Sequence, residues 1–142
     1  RLMVGEAAPP FEVKTMDGRA VKLADYRGRF LLLNFRWPQD EWRLDVEGLK
    51  RAYDACVNDP RFAMLTVHLN ATADDVRKRG AGQSIAWTQA LGGAAFERDI
   101  PVGYRAGPAM TFVLDPDQKV VAKIVRGGDA EASVNRVMRQ AR

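Results

Sequence analysis

The chain contains a single cysteine, Cys56, and a single histidine, His68. Thiols and imidazoles are the side chains that most often supply nucleophiles, proton shuttles and zinc ligands. One cysteine cannot form a disulfide within the chain, and one cysteine with one histidine cannot complete a four-ligand structural zinc site. The sequence therefore excludes both an internal dithiol and a structural zinc centre.

Both lone residues are better explained as core residues than as catalytic ones. Cys56 falls near the C-terminal end of a predicted helix, where the negative end of the helix dipole raises the pKa of a thiol. Free cysteine is also among the most buried residue types. His68 falls in a predicted strand, with no serine or cysteine that the sequence places beside it. We therefore expect a hydrogen-bonded core histidine rather than a general base.

Acidic and glycine-rich motifs give no catalytic or cofactor site. Asp40 and Glu41 are adjacent, and neighbouring residues on a helix point in different directions, so their carboxylates do not converge on one atom. Residues Gly80 to Gly82 follow a predicted helix, whereas a phosphate-binding loop precedes one. The sequence predicts no catalytic residue, no metal and no cofactor.

Two tryptophans, Trp37 and Trp42, bracket a short segment that shows no periodicity. With Arg36 and Arg43 beside them, the indoles can form a surface that binds a peptide or a protein partner. Alternatively, each indole packs into the structure, because aromatic side chains bury a large area wherever space allows. Packing is the favoured explanation for each indole taken singly.

Size and composition indicate a globular chain. Its 142 residues predict one domain, residues 1–142, and 46% of them are hydrophobic. The longest uninterrupted apolar run, Phe30 to Leu33, is too short for a transmembrane helix, and no signal-peptide pattern is present. The net charge is +4 and the basic residues are scattered, so nucleic-acid binding is not expected.

Local patterns predict the order hairpin, β, α, β, α, insert, β, β, α. The hairpin joins residues 11–14 to residues 20–23 through Asp17-Gly18. Apolar runs predict strands at residues 30–35, 62–69, 110–114 and 119–125, and a short strand at 85–87. Helices are predicted at residues 44–58, from Thr72 to Gly80, and at 130–140. Strands that flank a helix should be parallel and the last two antiparallel, which gives an α/β fold with a mixed sheet between helices on both faces.

Several segments resemble the redoxin family, which includes the TlpA/ResA-like thiol-disulfide oxidoreductases and the AhpC/TSA peroxiredoxins. Residues Gly5 to Phe11 resemble its G-x-x-A-P-x-F opening, and residues 17–29 resemble the D-G segment that follows. Residues 32–35 match the strand that leads to its active site, and residues 106–115 resemble its x-G-x-P-x-x-x-x-i-D segment. The resemblance covers roughly residues 4–138. It implies a thioredoxin fold, and it implies a cis peptide bond between Gly107 and Pro108, facing the redox loop.

The chain departs from this family where the chemistry should lie. TlpA/ResA-like members carry W-C-x-x-C at the start of the helix, whose N-terminus lowers the pKa of the attacking thiol while the second thiol resolves the mixed disulfide. Here the corresponding segment contains no cysteine, and it differs from the family motif at more than the two thiol positions. Its residues are Trp37, Pro38, Gln39, Asp40, Glu41, Trp42 and Arg43.

The sequence therefore predicts a thioredoxin-like domain that has lost dithiol chemistry and serves as a binding or scaffolding module of a bacterial envelope protein. Its partner would be a protein or peptide at the surface formed by Trp37, Trp42 and Pro108, below called the Trp37 surface. The extracytoplasmic location is implied by the family resemblance alone. Two alternatives remain: an oxidoreductase or peroxidase that uses Cys56 or a partner's thiols, and a purely structural or dimerising module.

Overall fold

The structure, a computed structural model, describes residues 2–37, 42–79, 85–93, 104 and 110–141. Within these ranges, seven strands and three helices follow one another along the chain. The strands are β1 (Glu12–Thr15), β2 (Ala20–Lys22), β3 (Phe30–Arg36), β4 (Phe62–His68), β5 (Thr88–Leu91), β6 (Thr111–Leu114) and β7 (Val120–Ile124). The helices are α1 (Trp42–Cys56), α2 (Ala73–Arg79) and α3 (Ala130–Gln140), with 3-10 turns at Leu23–Tyr26 and Gly127–Asp129.

The strands form one mixed sheet in the order β2-β1-β5-β4-β3-β6-β7. The β3–β4 and β4–β5 pairs are parallel, and the other pairs are antiparallel. This arrangement confirms the predicted parallel pair around α1 and the antiparallel final hairpin. The confirmed hairpin of β1 and β2 aligns Val13 with Val21 and turns through Gly18, whose φ of +88° suits glycine.

Strand β3 is central, and every one of its residues is buried. Because side chains alternate across a strand, β3 supplies both faces of the sheet. Leu31, Leu33 and Phe35 join a core cluster with the N-terminal segment, the hairpin and Tyr104. Phe30 and Leu32 join a second cluster under α1 and α3. The helices α1 and α3 therefore pack on the same face.

Two element boundaries correct the sequence predictions. The helix expected over residues 44–58 runs from Trp42 to Cys56, and the strand expected at residues 85–87 is absent there. Strand β5 begins instead at Thr88, where it pairs with Leu65 of β4. The Trp87 side chain is buried against the sheet, and its Nε1–H donates to Thr66 Oγ1 at 2.9 Å. Trp87 therefore packs beside β5 and does not belong to the strand.

Thr72 and Asp75 cap the start of α2. The backbone N–H of Asp75 donates to Thr72 Oγ1 at 3.1 Å, and the backbone N–H of Thr72 donates to Asp75 Oδ2 at 2.9 Å. This reciprocal pair satisfies two amide groups that the first turn leaves without helical partners. No helix within the described ranges has the length and apolar character to cross a membrane.

Candidate functional site

Strand β3 ends at Arg36, and this side chain turns inward instead of joining a surface. The side chain is 2% exposed, and its Nη1 donates to Asp45 Oδ2 at 2.8 Å. Asp45 lies in the first turn of α1 and is one-third exposed. The sequence favours a surface position for Arg36 beside the tryptophans, and the structure corrects this expectation. The buried guanidinium therefore links the sheet to the helix through this ion pair.

The same carboxylate ties α1 to the segment before α3. Asp45 Oδ1 accepts a hydrogen bond from the backbone N–H of Gly127 at 3.1 Å. The two backbones approach so closely that a Cβ added at Gly48 would lie 2.2 Å from Gly127 O. Only glycine fits at such a crossing. The start of α1 is thus positioned by an ion pair to a buried guanidinium and by a close backbone contact, neither of which involves sulfur.

Trp37 follows Arg36 and lies on the opposite face of the sheet. Its side chain is partly buried and packs against the cluster that contains Phe35 and Tyr104. Met110 is also partly buried against this cluster, and its carbonyl accepts the Phe35 N–H at 2.8 Å. Trp37 therefore combines the two alternatives: part of the residue packs against the core, and part stays accessible.

The remaining site predictions concern residues that the structure describes only in part. Trp42 and Arg43 occupy the first turn of α1, and their side chains lie outside the described part of the chain. The segments that contain the other predicted site residues also lie outside it. These residues are Pro38, Asp40, Glu41, Gly107 and Pro108. The Trp37 surface and the cis bond before Pro108 therefore remain predictions.

A row of buried polar side chains crosses the sheet beneath α1. Asn34 Nδ2 donates to Thr111 Oγ1 at 2.9 Å, and Thr66 Oγ1 donates to Asn34 Oδ1 at 3.2 Å. Thr66 Oγ1 also accepts the indole N–H of Trp87. This row was not predicted, although single polar residues inside the apolar runs of β3 and β4 indicate it. Such a row fixes the strand register because each buried polar atom needs its partner.

His68 is a buried core histidine, as predicted. Its side chain is 4% exposed, and Nε2 lies 2.8 Å from Gln89 Oε1 of β5. His68 is also the register partner of Arg36 in the neighbouring strand. The imidazole thus helps to hold β5 against β4. No group of three potential metal-ligating side chains occurs among the described residues.

The only thiol in the sequence lies at the wrong end of α1 for the family chemistry. Cys56 is the last residue of the helix, about 21 Å from Trp42 at 1.5 Å per residue. It is 5% exposed, and its Sγ–H lies 3.6 Å from Asn135 Oδ1. Burial, with the nearby carboxylates of Asp59 and Glu131, raises the pKa of this thiol above its ordinary value. The thiolate is the nucleophile in thiol chemistry, so this environment disfavours the reactive form.

Comparisons with known proteins agree with this architecture. The sequence model of the AhpC/TSA family matches residues 4–123. The thioredoxin domain of a thiol-disulfide oxidoreductase from Bacteroides vulgatus is 26% identical, with a TM-score of 0.83 over 96% of this chain and 99% of that one. A thiol:disulfide interchange protein from Bacteroides sp. is also 26% identical, with a TM-score of 0.84 over 97% of this chain and 91% of that one. A search of curated proteins finds no significant match. Because the family match spans most of the chain and the superposition with a thioredoxin domain covers 96% of it, the chain belongs to the AhpC/TSA family and adopts a thioredoxin-like fold.

Proposed function

We propose that this domain no longer exchanges dithiols and acts as a non-catalytic binding or scaffolding module of a bacterial envelope protein. One observation carries the proposal: the single cysteine of the sequence is buried at the C-terminal end of α1. Disulfide exchange requires an accessible thiolate and a second thiol that resolves the mixed disulfide. The chain supplies no second thiol, and burial raises the pKa of the thiol that it has, which disfavours the thiolate.

The proposed binding region is the Trp37 surface, at the end of β3. Trp37 and Met110 both pack against the same core cluster and are both partly exposed, so each offers an apolar contact for a protein or peptide. The Arg36–Asp45 pair supports this role because it fixes the backbone that presents the indole. An extracytoplasmic setting is supported only by resemblance to the bacterial neighbours.

A catalytic alternative is favoured by the names of those neighbours, which are thiol-disulfide exchange proteins. Insulin reduction and peroxide consumption, each measured with the whole chain and with Cys56→Ser, separate the two functions. Our proposal predicts that both proteins give rates equal to the buffer blank. Turnover by the whole chain that disappears in Cys56→Ser would assign the reaction to this thiol and refute the proposal.

Binding is tested by substitution at the Trp37 surface. Trp37→Ala and Trp42→Ala should each weaken retention of a copurifying partner, whereas Val57→Ala, an exposed apolar change near the other end of α1, should not. Sedimentation of the purified chain separates this role from dimerisation. A stable dimer that both tryptophan variants leave intact, with no partner retained, would favour a purely structural module instead.

A further inference from the structure

An apolar cavity of about 550 Å³ lies at the start of β3, at the opposite end of this strand from Trp37, and we name it the Phe30 cavity. Side chains of β3, β7 and α3 form its apolar wall, and these are Phe30, Val120, Val121 and Val137. Three of them are buried core residues, and Val121 is half-buried. The wall is therefore held in place by the packing of the core and does not depend on a loop.

Val4 gives the cavity an exposed apolar border. It lines the cavity, and 60% of the residue is accessible to solvent. The next amide along the chain, that of Gly5, donates to Val120 O at 2.7 Å, which fixes this segment against β7. An aliphatic ligand that covers Val4 would remove apolar surface from water, which is favourable. The volume lies within the usual range for small-ligand sites, about 300–1,000 Å³.

One of the two cations that line the cavity, Arg61, is engaged within the protein. Its Nη2 and Nε donate to the Asp59 carboxylate at 2.8 and 3.1 Å, and its Nη1 donates to Met138 O at 3.4 Å. The Arg61 guanidinium also lies 5.8 Å from the centre of the Phe30 ring. Arg61 therefore forms part of the wall, and Asp59 balances its charge.

The second cation, Lys119, is exposed and open to a ligand. Its ammonium forms neither an ion pair nor a hydrogen bond with the residues that the structure describes. The Asp115 carboxylate also lines the cavity, but its Oδ1 accepts the backbone N–H groups of Asp117 and Lys119 at 3.0 and 2.9 Å. The carboxylate is thus bound to the β6–β7 turn, and the charge left at the edge of the apolar wall is positive.

We propose that the Phe30 cavity binds a single-chain aliphatic carboxylate. The chain would lie against Phe30 and Val137, and the carboxylate would pair with the Lys119 ammonium. The last turn of α3 also borders the cavity, and its carbonyl groups carry the negative end of the helix dipole. This dipole disfavours an anion there, so the carboxylate should lie on the Lys119 side.

This site is separate from the Trp37 surface. Phe30 and Arg36 are the first and last residues of β3, about 20 Å apart at the strand rise of about 3.3 Å per residue. Loss of ligand binding at the Phe30 cavity would leave the Trp37 surface unaffected, so the two proposals fail independently.

The test compares octanoate with octylammonium, which has the same chain length and the opposite charge. Each is titrated at millimolar concentration into the isotopically labelled chain and followed by backbone amide NMR. We expect octanoate to shift the signals of Gly5, Val121 and Ala141 saturably and to bind about tenfold more tightly than octylammonium. Hexanoate should also bind about tenfold more weakly than octanoate, because two fewer methylene groups are buried.

Two pairs of variants test the charge and the place of binding. Lys119→Gln should reduce the preference for octanoate to less than threefold, whereas Lys123→Gln, in the same strand region but outside the cavity lining, should retain it. Val4→Asp should reverse the preference, because it places a carboxylate at the border of the cavity. Val125→Asp changes a similarly exposed valine outside the lining and should leave it unchanged.

The reversal in Val4→Asp distinguishes a specific effect from unfolding, because an unfolded variant would bind neither ligand saturably. Absence of saturable shifts with octanoate, equal affinities for octanoate and octylammonium, or an equal change of preference in Val125→Asp would each overturn the proposal. Shifts spread evenly over the whole chain would also overturn it, since they indicate non-specific association.

Discussion

Substitution of Gly48 by alanine should destabilise the protein, although alanine is the better helix former. A Cβ at this position of α1 would lie 2.2 Å from Gly127 O, 2.5 Å from Gly127 C and 2.6 Å from Gly128 Cα. Ordinary contacts of this kind are 3.4–4 Å long. All three obstructing atoms belong to the backbone, so no side-chain rotation relieves the overlap. The helix and the 3-10 turn before α3 would have to separate by more than 1 Å.

Three contributions determine the change in the free energy of unfolding, and the first opposes the other two. Replacing glycine by alanine within a helix gains about 1 kcal/mol. Forcing an extra carbon into a well-packed contact costs about 1–3 kcal/mol. Separation also removes the Gly127 N–H hydrogen bond to Asp45, worth about 1 kcal/mol. The free energy of unfolding should therefore fall by about 1–3 kcal/mol, measured by urea denaturation with tryptophan fluorescence at constant pH.

Substitutions at two neighbouring glycines test whether the close backbone crossing causes this loss of stability. In Gly127→Ala the new Cβ meets Asp45 O at 2.7 Å, so a loss similar to that of Gly48→Ala is expected. In Gly128→Ala the nearest atom, Nη2 of Arg51, is 3.9 Å away, and stability should change by no more than about 0.5 kcal/mol. Unaltered stability in Gly48→Ala, or an equal loss in Gly128→Ala, would show that the close backbone crossing does not constrain α1.

Three further substitutions test the buried polar groups. Thr66→Val removes a hydroxyl that serves both Asn34 and Trp87, and it should lower the free energy of unfolding by about 1–3 kcal/mol in urea titrations. Cys56 should react far more slowly with Ellman's reagent in the native chain than in urea. The free energy of unfolding should decline as the pH rises above about 9 and through the raised pKa of the folded state, because the unfolded chain loses its thiol proton first. Cys56→Ser should abolish that part of the decline. Burial likewise raises the pKa of Tyr104, so its phenol should ionise in absorbance titrations only when the chain unfolds at high pH, and Tyr104→Phe, which loses the hydrogen bond to Pro9 O, should cost about 1 kcal/mol at neutral pH.

Elements with strong local patterns could be predicted from the sequence. Helix α3 occupies residues 130–140 as its apolar periodicity indicates, and the apolar runs place β3 and β4 within one residue of their observed bounds. Strand β5 could not be predicted, because Thr88–Leu91 lacks an apolar run and becomes a strand only by pairing with β4 and β1. Its formation depends on partners that are distant in the sequence.

The candidate site was predicted less completely, for a related reason. A charged residue at the end of a strand is normally exposed, so the sequence alone favours a surface position for Arg36. Its burial depends on Asp45, nine residues later and across the β3–α1 connection. The Asp45 contact with Gly127 joins residues 82 positions apart. Patterns of neighbouring residues contain no information about such pairings, whereas the position of Trp37 next to β3 follows directly from the strand that precedes it.

The contacts that position α1 explain how this chain keeps the family fold without the family thiols. Val46, Leu49 and Ala52 bury the face of the helix against the sheet, and the Arg36–Asp45 pair attaches its first turn. None of these residues contains sulfur, so they hold α1 in place without the family thiols. A thiol restored at the start of α1 would still depend on these contacts for its position. Membership of the family therefore determines the fold of this domain, whereas a fold alone does not determine an activity.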